Sequence, residues 1–264
     1  MTATATPVEQ IERIQAGEEA WALARATYDA LLALLADLTP DEWHAPTVCA
    51  PWTVADMVGH LIGAAEGHAS LITGIRQQVA AARRKGDHDG SALDAWTAGH
   101  VVAHADLTPV QRLAQLRAVA PRAVRGRSRL PRPLRRIRVS LPQAGSLPSG
   151  SPAAITLGEL NTVVYTRDAF LHRIDIARAT GHDERLDPSV DGRILADVVA
   201  DWAGRHGRPF RLTVTGPAGG RYQQGAGGPH LELDPVELCW LLSGRSEPDP
   251  DRPGADLLRT RVLF

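Results

Sequence analysis

Helix-start signals recur along this chain closely enough to decide its fold class. A Ser, Thr or Asp followed three residues later by an acid or Gln, ahead of an apolar run, lets the first side chain accept from the N3 amide while the N3 side chain returns the bond. The pattern stands at Thr6/Glu9, Thr39/Glu42, Thr53/Asp56, Ser91/Asp94, Thr108/Gln111, Thr156/Glu159 and Asp234/Glu237. Proline follows the cap directly at Pro7, Pro40, Pro109 and Pro235, where its missing N–H costs nothing. Helices are predicted from Pro7 to Asp37, from Thr53 through Arg84, from Ser91, from Thr108 to near Pro121, from Leu157 to Thr180 with Gly181 as the stop, and from Asp187 to His206. The Thr39 signal meets Pro46 and Pro51, so one short turn fits there and Trp43 to Pro51 is a loop. At Phe210 the period changes: Phe210 to Thr215 alternates as a strand does, Tyr222 to Gln224 and His230 to Leu233 are shorter strands, and Asp234 caps a helix through Leu242. The expected fold is mainly α, with residues 1–186 helical and 187–264 a small α+β domain.

Charge and cysteine content exclude several roles. A formal net charge of -1 gives no whole-chain attraction to nucleic acid or an acidic membrane. Residues 122–138 hold eight arginines, but no aromatics interleave them to stack on bases; the run reads as solvated surface, or as a basic wall for an anionic small molecule. Two cysteines, Cys49 and Cys239, offer no disulfide framework or zinc-finger spacing; Cys49 reads as a small packed thiol at a helix entry, with an approach to a metal as the other reading. No signal peptide and no spanning run are seen, so a cytoplasmic protein without membrane or nucleic-acid partners is expected. No sustained heptad seam specifies an oligomeric state.

One constellation points to chemistry. On a helix turning about 100° per residue, Asp168 and His172 lie about 40° apart and Asp175 within about 20° of Asp168. A carboxylate and an imidazole at i and i+4 close on one cation, and His60, on the helix opened by the Thr53 cap and its Trp52/Met57 hydrophobic staple, supplies a third ligand. Three protein ligands leave a position open for reaction. The competing readings are a core histidine at His60 and a salt-bridged face in which Arg167, Arg173 and Arg178 take the acids. His100 and His104, also at i and i+4, form a rival pair without a third ligand on their face except Asp106.

The stretches Pro51–Leu61, Tyr165–Gly181 and, more weakly, Leu238–Arg245 resemble the mycothiol-dependent maleylpyruvate isomerase family. The resemblance covers nearly the whole chain and implies a DinB-like four-helix bundle followed by a C-terminal α+β domain resembling sterol carrier proteins. It implies a divalent metal, zinc foremost with nickel or another ion as the alternative, held by His60, Asp168 and His172. The family's acid is often glutamate, and here it is the shorter aspartate. It also implies an arginine needed for turnover, carried over to Arg245, and mycothiol as the thiol cosubstrate. Asp175 takes the role of acceptor behind a ligand.

A thiol on a divalent cation is held as thiolate, which adds to an electrophile. A small-molecule electrophile and a low-molecular-weight thiol are thus the expected partners, by S-transfer or cis/trans isomerisation. Two other functions remain distinct: a non-catalytic small-molecule-binding or regulatory protein, and a metal hydrolase that activates water.

Overall fold

The computed structural model describes residues 4–141, 147 and 150–264, so part of the Pro/Gly/Ser-rich segment 142–152 lies outside the described residues. The first departure from expectation comes at once. Thr6–Pro7 is a short strand, β1, followed by a 3-10 turn at Val8–Gln10, and the first long helix, α1, spans Glu18–Asp37 rather than starting at Pro7. Thr6 pairs with Tyr222 in a parallel ladder instead of capping, and Gly17 stands extended at the true helix start, where Glu18 and Glu19 face the positive end of the dipole.

The chain divides into two compact units. One comprises Gln15–Leu147 and Ala153–Glu184; the other gathers Arg185–Phe264 with the N-terminal stretch to Ile14 and Pro148–Pro152. In the helical unit α1 is followed by α2 (Val54–Ala69), α3 (Leu71–Arg84), α4 (Ala92–Ala103) and α5 (Pro109–Ser128). A two-stranded ribbon of β2 (Arg138–Ser140) and β3 (Ala154–Thr156) leads to α6 (Leu157–Glu159), a π-helical turn at Leu160–Val164, and α7 (Tyr165–Thr180). Tyr28, Leu31 and Leu35 of α1, Met57, Leu61 and Ile62 of α2, Leu116, Val119 and Ala123 of α5, and Ala169 and Ile176 of α7 share one apolar cluster. That cluster makes α1, α2, α5 and α7 a four-helix bundle; each fully buried Leu or Ile within it adds about 1.5–3 kcal/mol of transfer free energy.

Two further helix limits in the bundle differ from the sequence reading and one helix differs within its limits, each for a local reason. The single helix expected over Thr53–Arg84 breaks at Ser70, which leaves the helical region (φ −138°, ψ 116°) and whose Oγ caps the Thr73 amide to start α3. The α5 helix passes through Pro121 to Ser128: one ladder bond is lost, but Ala120, Ala123, Val124 and Arg127 around and beyond the expected stop are buried and hold it. The last long helix of the bundle keeps its Thr156 cap and left-handed Gly181 terminus but contains the π turn.

In the other unit the sheet order is β1-β5-β4-β6, with β4 (Phe210–Val214) antiparallel to β5 (Gly220–Gln224) and parallel to β6 (His230–Leu233). Helix α8 (Asp191–His206) begins one turn after Asp187, whose Oδ1 accepts from the Ser189 and Val190 amides in a preceding turn. With α9 (Pro235–Ser243) and α10 (Ala255–Leu258), it buries Trp202, Phe210, Leu212, Leu238 and Leu242 in a second core. The Trp202 indole donates to the Leu257 carbonyl at 2.9 Å. Asp197 of α8 accepts from the Ile14 amide at 2.8 Å and from Arg13 Nε at 2.9 Å, which fixes the N-terminal stretch in this unit. No helix among the described residues is long and apolar enough to cross a membrane.

Candidate active site

The start of α2 is set by a complete capping box: Thr53 Oγ1 accepts from the Asp56 amide at 3.2 Å, and Asp56 Oδ2 accepts from the Thr53 amide at 3.0 Å. Two turns further on, His60 is buried, facing α7. On α7 Asp168 and His172 stand one turn apart, as their spacing requires. His60 Nε2 lies 3.7 Å from Asp168 Oδ2, and His172 Nε2 lies 3.4 Å from Asp168 Oδ1. One ligand-type atom from each of the three falls within 4.8 Å of the other two. The Trp52 ring borders the cluster, 5.2 Å from His60 and 6.5 Å from His172 between centroids.

The far nitrogens of both imidazoles are also engaged. His172 Nδ1 is 3.1 Å from Asp175 Oδ2, a carboxylate with no exposed side-chain surface. Asp175 therefore sits behind His172, and Arg178 Nε donates to Glu184 at 2.8 Å. Cys49, read from the sequence as a packing thiol, points its Sγ at the same Asp175 oxygen from 3.9 Å and forms a second close group with His172 and Asp175. On the other side, His60 Nδ1 meets His100 Nδ1 at 3.4 Å.

His100 and His104, the rival pair, turn to different partners. Both are buried, His104 Nδ1 donates to the His100 carbonyl at 2.7 Å, and His104 Nε2 faces Glu66 Oε2 at 3.4 Å. Packing at Gly63 explains the approach: a Cβ there would stand 2.5 Å from His100 Cγ, so only glycine lets α4 bring this ring against α2. No pattern along the chain signalled it, because the contact joins two helices through a bare backbone.

Electrostatics follow from burial and pairing. Burial favours the neutral form of Asp168, but His172 and His60 beside it hold its carboxyl well below the usual carboxylate range. Burial likewise opposes charge on His172, yet Asp168, with Asp175 and Cys49, raises its imidazole well above an ordinary histidine. His100 is pushed down to about 3 by burial and by His60, and is neutral.

The arginine run also divides. Arg129, Arg132, Arg136 and Arg138 are exposed, whereas Arg127 is 1% exposed and is not part of a solvated face. Arg245 lies in the sheet unit just after the left-handed Gly244 that ends α9, with its amide donating to the Trp240 carbonyl at 2.9 Å.

A four-helix bundle carrying two histidines and an aspartate on facing helices, followed by a small α+β unit, defines the class. Residues 24–177, more than half of the chain, match the family profile described as the mycothiol maleylpyruvate isomerase N-terminal domain, and the chain belongs to that family. Among solved structures, the crystal structure of the mycothiol-dependent maleylpyruvate isomerase aligns with a TM-score of 0.54 at 14% identity, over 91% of this chain and 92% of the other. A histidine-to-alanine mutant of that isomerase aligns with a TM-score of 0.53 at the same identity and coverage. At that identity the likeness establishes the shared fold. No curated protein matches the chain.

Proposed function

We propose that this protein is a metal-dependent enzyme that activates a low-molecular-weight thiol of the mycothiol type for addition to an electrophilic small molecule. The observation that carries the reading is the convergence of His60, Asp168 and His172, whose facing atoms are 3.4 and 3.7 Å apart. Ligands bonded at about 2.0–2.2 Å to one tetrahedral ion stand at close to such separations, so the three residues fit a divalent cation, zinc foremost. When bound, such an ion lowers the pKa of a coordinated thiol and holds it as thiolate.

The chain's own groups prepare the site. Asp175 accepts a hydrogen bond from His172 Nδ1, which fixes the ring and turns Nε2 toward Asp168. His100 takes the corresponding place behind His60. The Trp52 ring lies along one edge of the cluster and covers it with apolar surface. A thiolate that adds to a double bond conjugated with a carbonyl forms a C–S bond and an enolate. Rotation about the resulting single bond and departure of the thiolate give the cis/trans isomer, while protonation of the enolate carbon gives the S-conjugate. In this reading Arg245 of the sheet unit is the arginine needed for turnover.

Metal content by elemental mass spectrometry tests the site, alongside thiol-dependent turnover of cis-unsaturated acids. We expect stoichiometric divalent metal in the wild type, lost in His60→Ala, Asp168→Ala and His172→Ala variants that retain their circular dichroism, with turnover lost in parallel. Thiol-dependent turnover that persists in metal-stripped protein would overturn the reading.

A further inference from the structure

Arg127 is a cation that the helical unit buries without neutralising. Its Nε donates to the Asn161 carbonyl at 2.7 Å and its Nη2 to Thr166 Oγ1 at 2.7 Å, while Nη1 is buried with no hydrogen-bond partner. A guanidinium carries five N–H donors, and an unpaired charge removed from water is among the costliest features a core can contain. Among the described residues no acid forms an ion pair with it. The Asn161 carbonyl that receives Arg127 Nε lies within the π turn at Leu160–Val164, where the regular α-helical ladder is interrupted.

Two further polar side chains, His68 and Tyr165, lie in the same neighbourhood. His68 Nδ1 is buried and unpartnered, and the His68 ring lies 4.0 Å from the Tyr165 ring between centroids. Arg127 Cζ stands 5.9 Å over that same tyrosine. Backbone contact fixes this neighbourhood: a Cβ at Gly126 would fall 1.9 Å from the His68 carbonyl oxygen, so α5 and the end of α2 touch main chain to main chain. Thr166, which anchors the guanidinium, precedes the candidate ligand Asp168 by two residues on α7, and the charge of Asp168 acts on Arg127, His68 and Tyr165 alike.

We propose that Arg127, with His68 and Tyr165 beside it, forms an anion subsite that receives a carboxylate of the electrophile next to the His60–Asp168–His172 cluster. The inference rests on the thiol-addition reading for the identity of the ligand, and on the orphaned Nη1 and Nδ1 for its place. An incoming carboxylate takes the free N–H groups of Nη1 and neutralises the guanidinium, which makes acids, not their esters or amides, the accepted substrates.

Calorimetric titration with maleate and with succinate, in the absence of thiol, is the test. The wild type is expected to bind at millimolar concentration or tighter. Arg127→Met weakens binding by about tenfold or more, and Arg127→Lys, which keeps charge but not the fork, falls between. A folded Arg127→Met variant with wild-type affinity, or a wild type that binds neither dicarboxylate, overturns the subsite. Should Arg127→Met fail to fold, His68→Phe, which keeps a ring against Tyr165 and removes Nδ1, decides: unchanged affinity overturns the proposal, and weakened affinity supports it. Arg127-dependent maleate binding in a protein without thiol-dependent turnover would sink the thiol reading and keep the subsite. Turnover with Arg127-independent binding would do the reverse.

Discussion

His100 Nδ1 stands 3.4 Å from His60 Nδ1, the ring nitrogen opposite the one that faces Asp168. On the proposed metal site, a neutral His100 that accepts a hydrogen bond from His60 Nδ1 leaves Nε2 of His60 for the ligand bond. Replacing His100 by Phe keeps a ring against Trp96, 4.3 Å away between centroids, and removes the acceptor. Zinc affinity, read by competition with a chromophoric chelator, is expected to fall about 10- to 100-fold with circular dichroism unchanged. Wild-type affinity in His100→Phe would show that His60 is oriented without it.

On the same proposed site, Asp175 is the matching acceptor for His172, with no exposed side-chain surface. Asp175→Asn retains an oxygen that accepts from Nδ1 and loses the charge, whereas Asp175→Ala removes the acceptor. Metal affinity should therefore decline in the order wild type, Asn, Ala, with the Ala variant weaker by about tenfold or more. Equal affinities in all three would assign Asp175 to folding alone.

The Glu66–His104 pair yields a pH dependence. Glu66 lies below the usual carboxylate range because His104 and Gln115 bond it, so its contribution is complete above about pH 4.3 and is lost as pH falls through the lower folded value. Burial pulls His104 down, but Glu66 and the His100 carbonyl raise it above its ordinary value, so its contribution is complete below about pH 6.5 and is lost as pH rises through the higher folded value. Both are in force between about pH 4.5 and 6.5. The melting-temperature gap between wild type and Glu66→Gln should be widest in that window and should narrow by about pH 9. A gap that is flat with pH would mean that His104 does not carry charge in the folded protein.

Two glycines should respond in opposite directions. Gly126→Ala drives a Cβ into the His68 carbonyl and is expected to cost about 1–3 kcal/mol or more, measured by urea unfolding. Gly99, inside α4, has open space where an added methyl would stand, with nothing within 4 Å, and Gly99→Ala should gain about 0.5–1 kcal/mol from helix propensity. A tolerated Gly126→Ala would show that α5 and α2 have freedom to part.

What was legible in the chain was local. The caps at Thr53, Ser91, Thr108, Thr156 and Asp234 each act within one turn, and each opens a helix where its residues predict one. Thr6 carries the same letters and fails, because a strand far along the chain recruits its backbone; Thr39 does bond Glu42, but the prolines that follow allow only the 3-10 turn at Glu42–His44. The i, i+4 geometry of Asp168 and His172 was readable for the same reason. His100 and Arg127 were not, and Cys49 was only half so: each owes its place to a neighbour on another segment, and in isolation they read as half of a rival metal pair, one more arginine of a basic run, and a thiol that packs or approaches a metal.

The ladder that joins Thr6 to Tyr222 has a temporal consequence. The ribosome releases this first strand long before its partner exists, and the intervening helical unit has its bundle helices complete in the meantime. Formation of the full sheet therefore belongs to the end of synthesis, and until then β1 is an unpaired edge that the emerging chain carries.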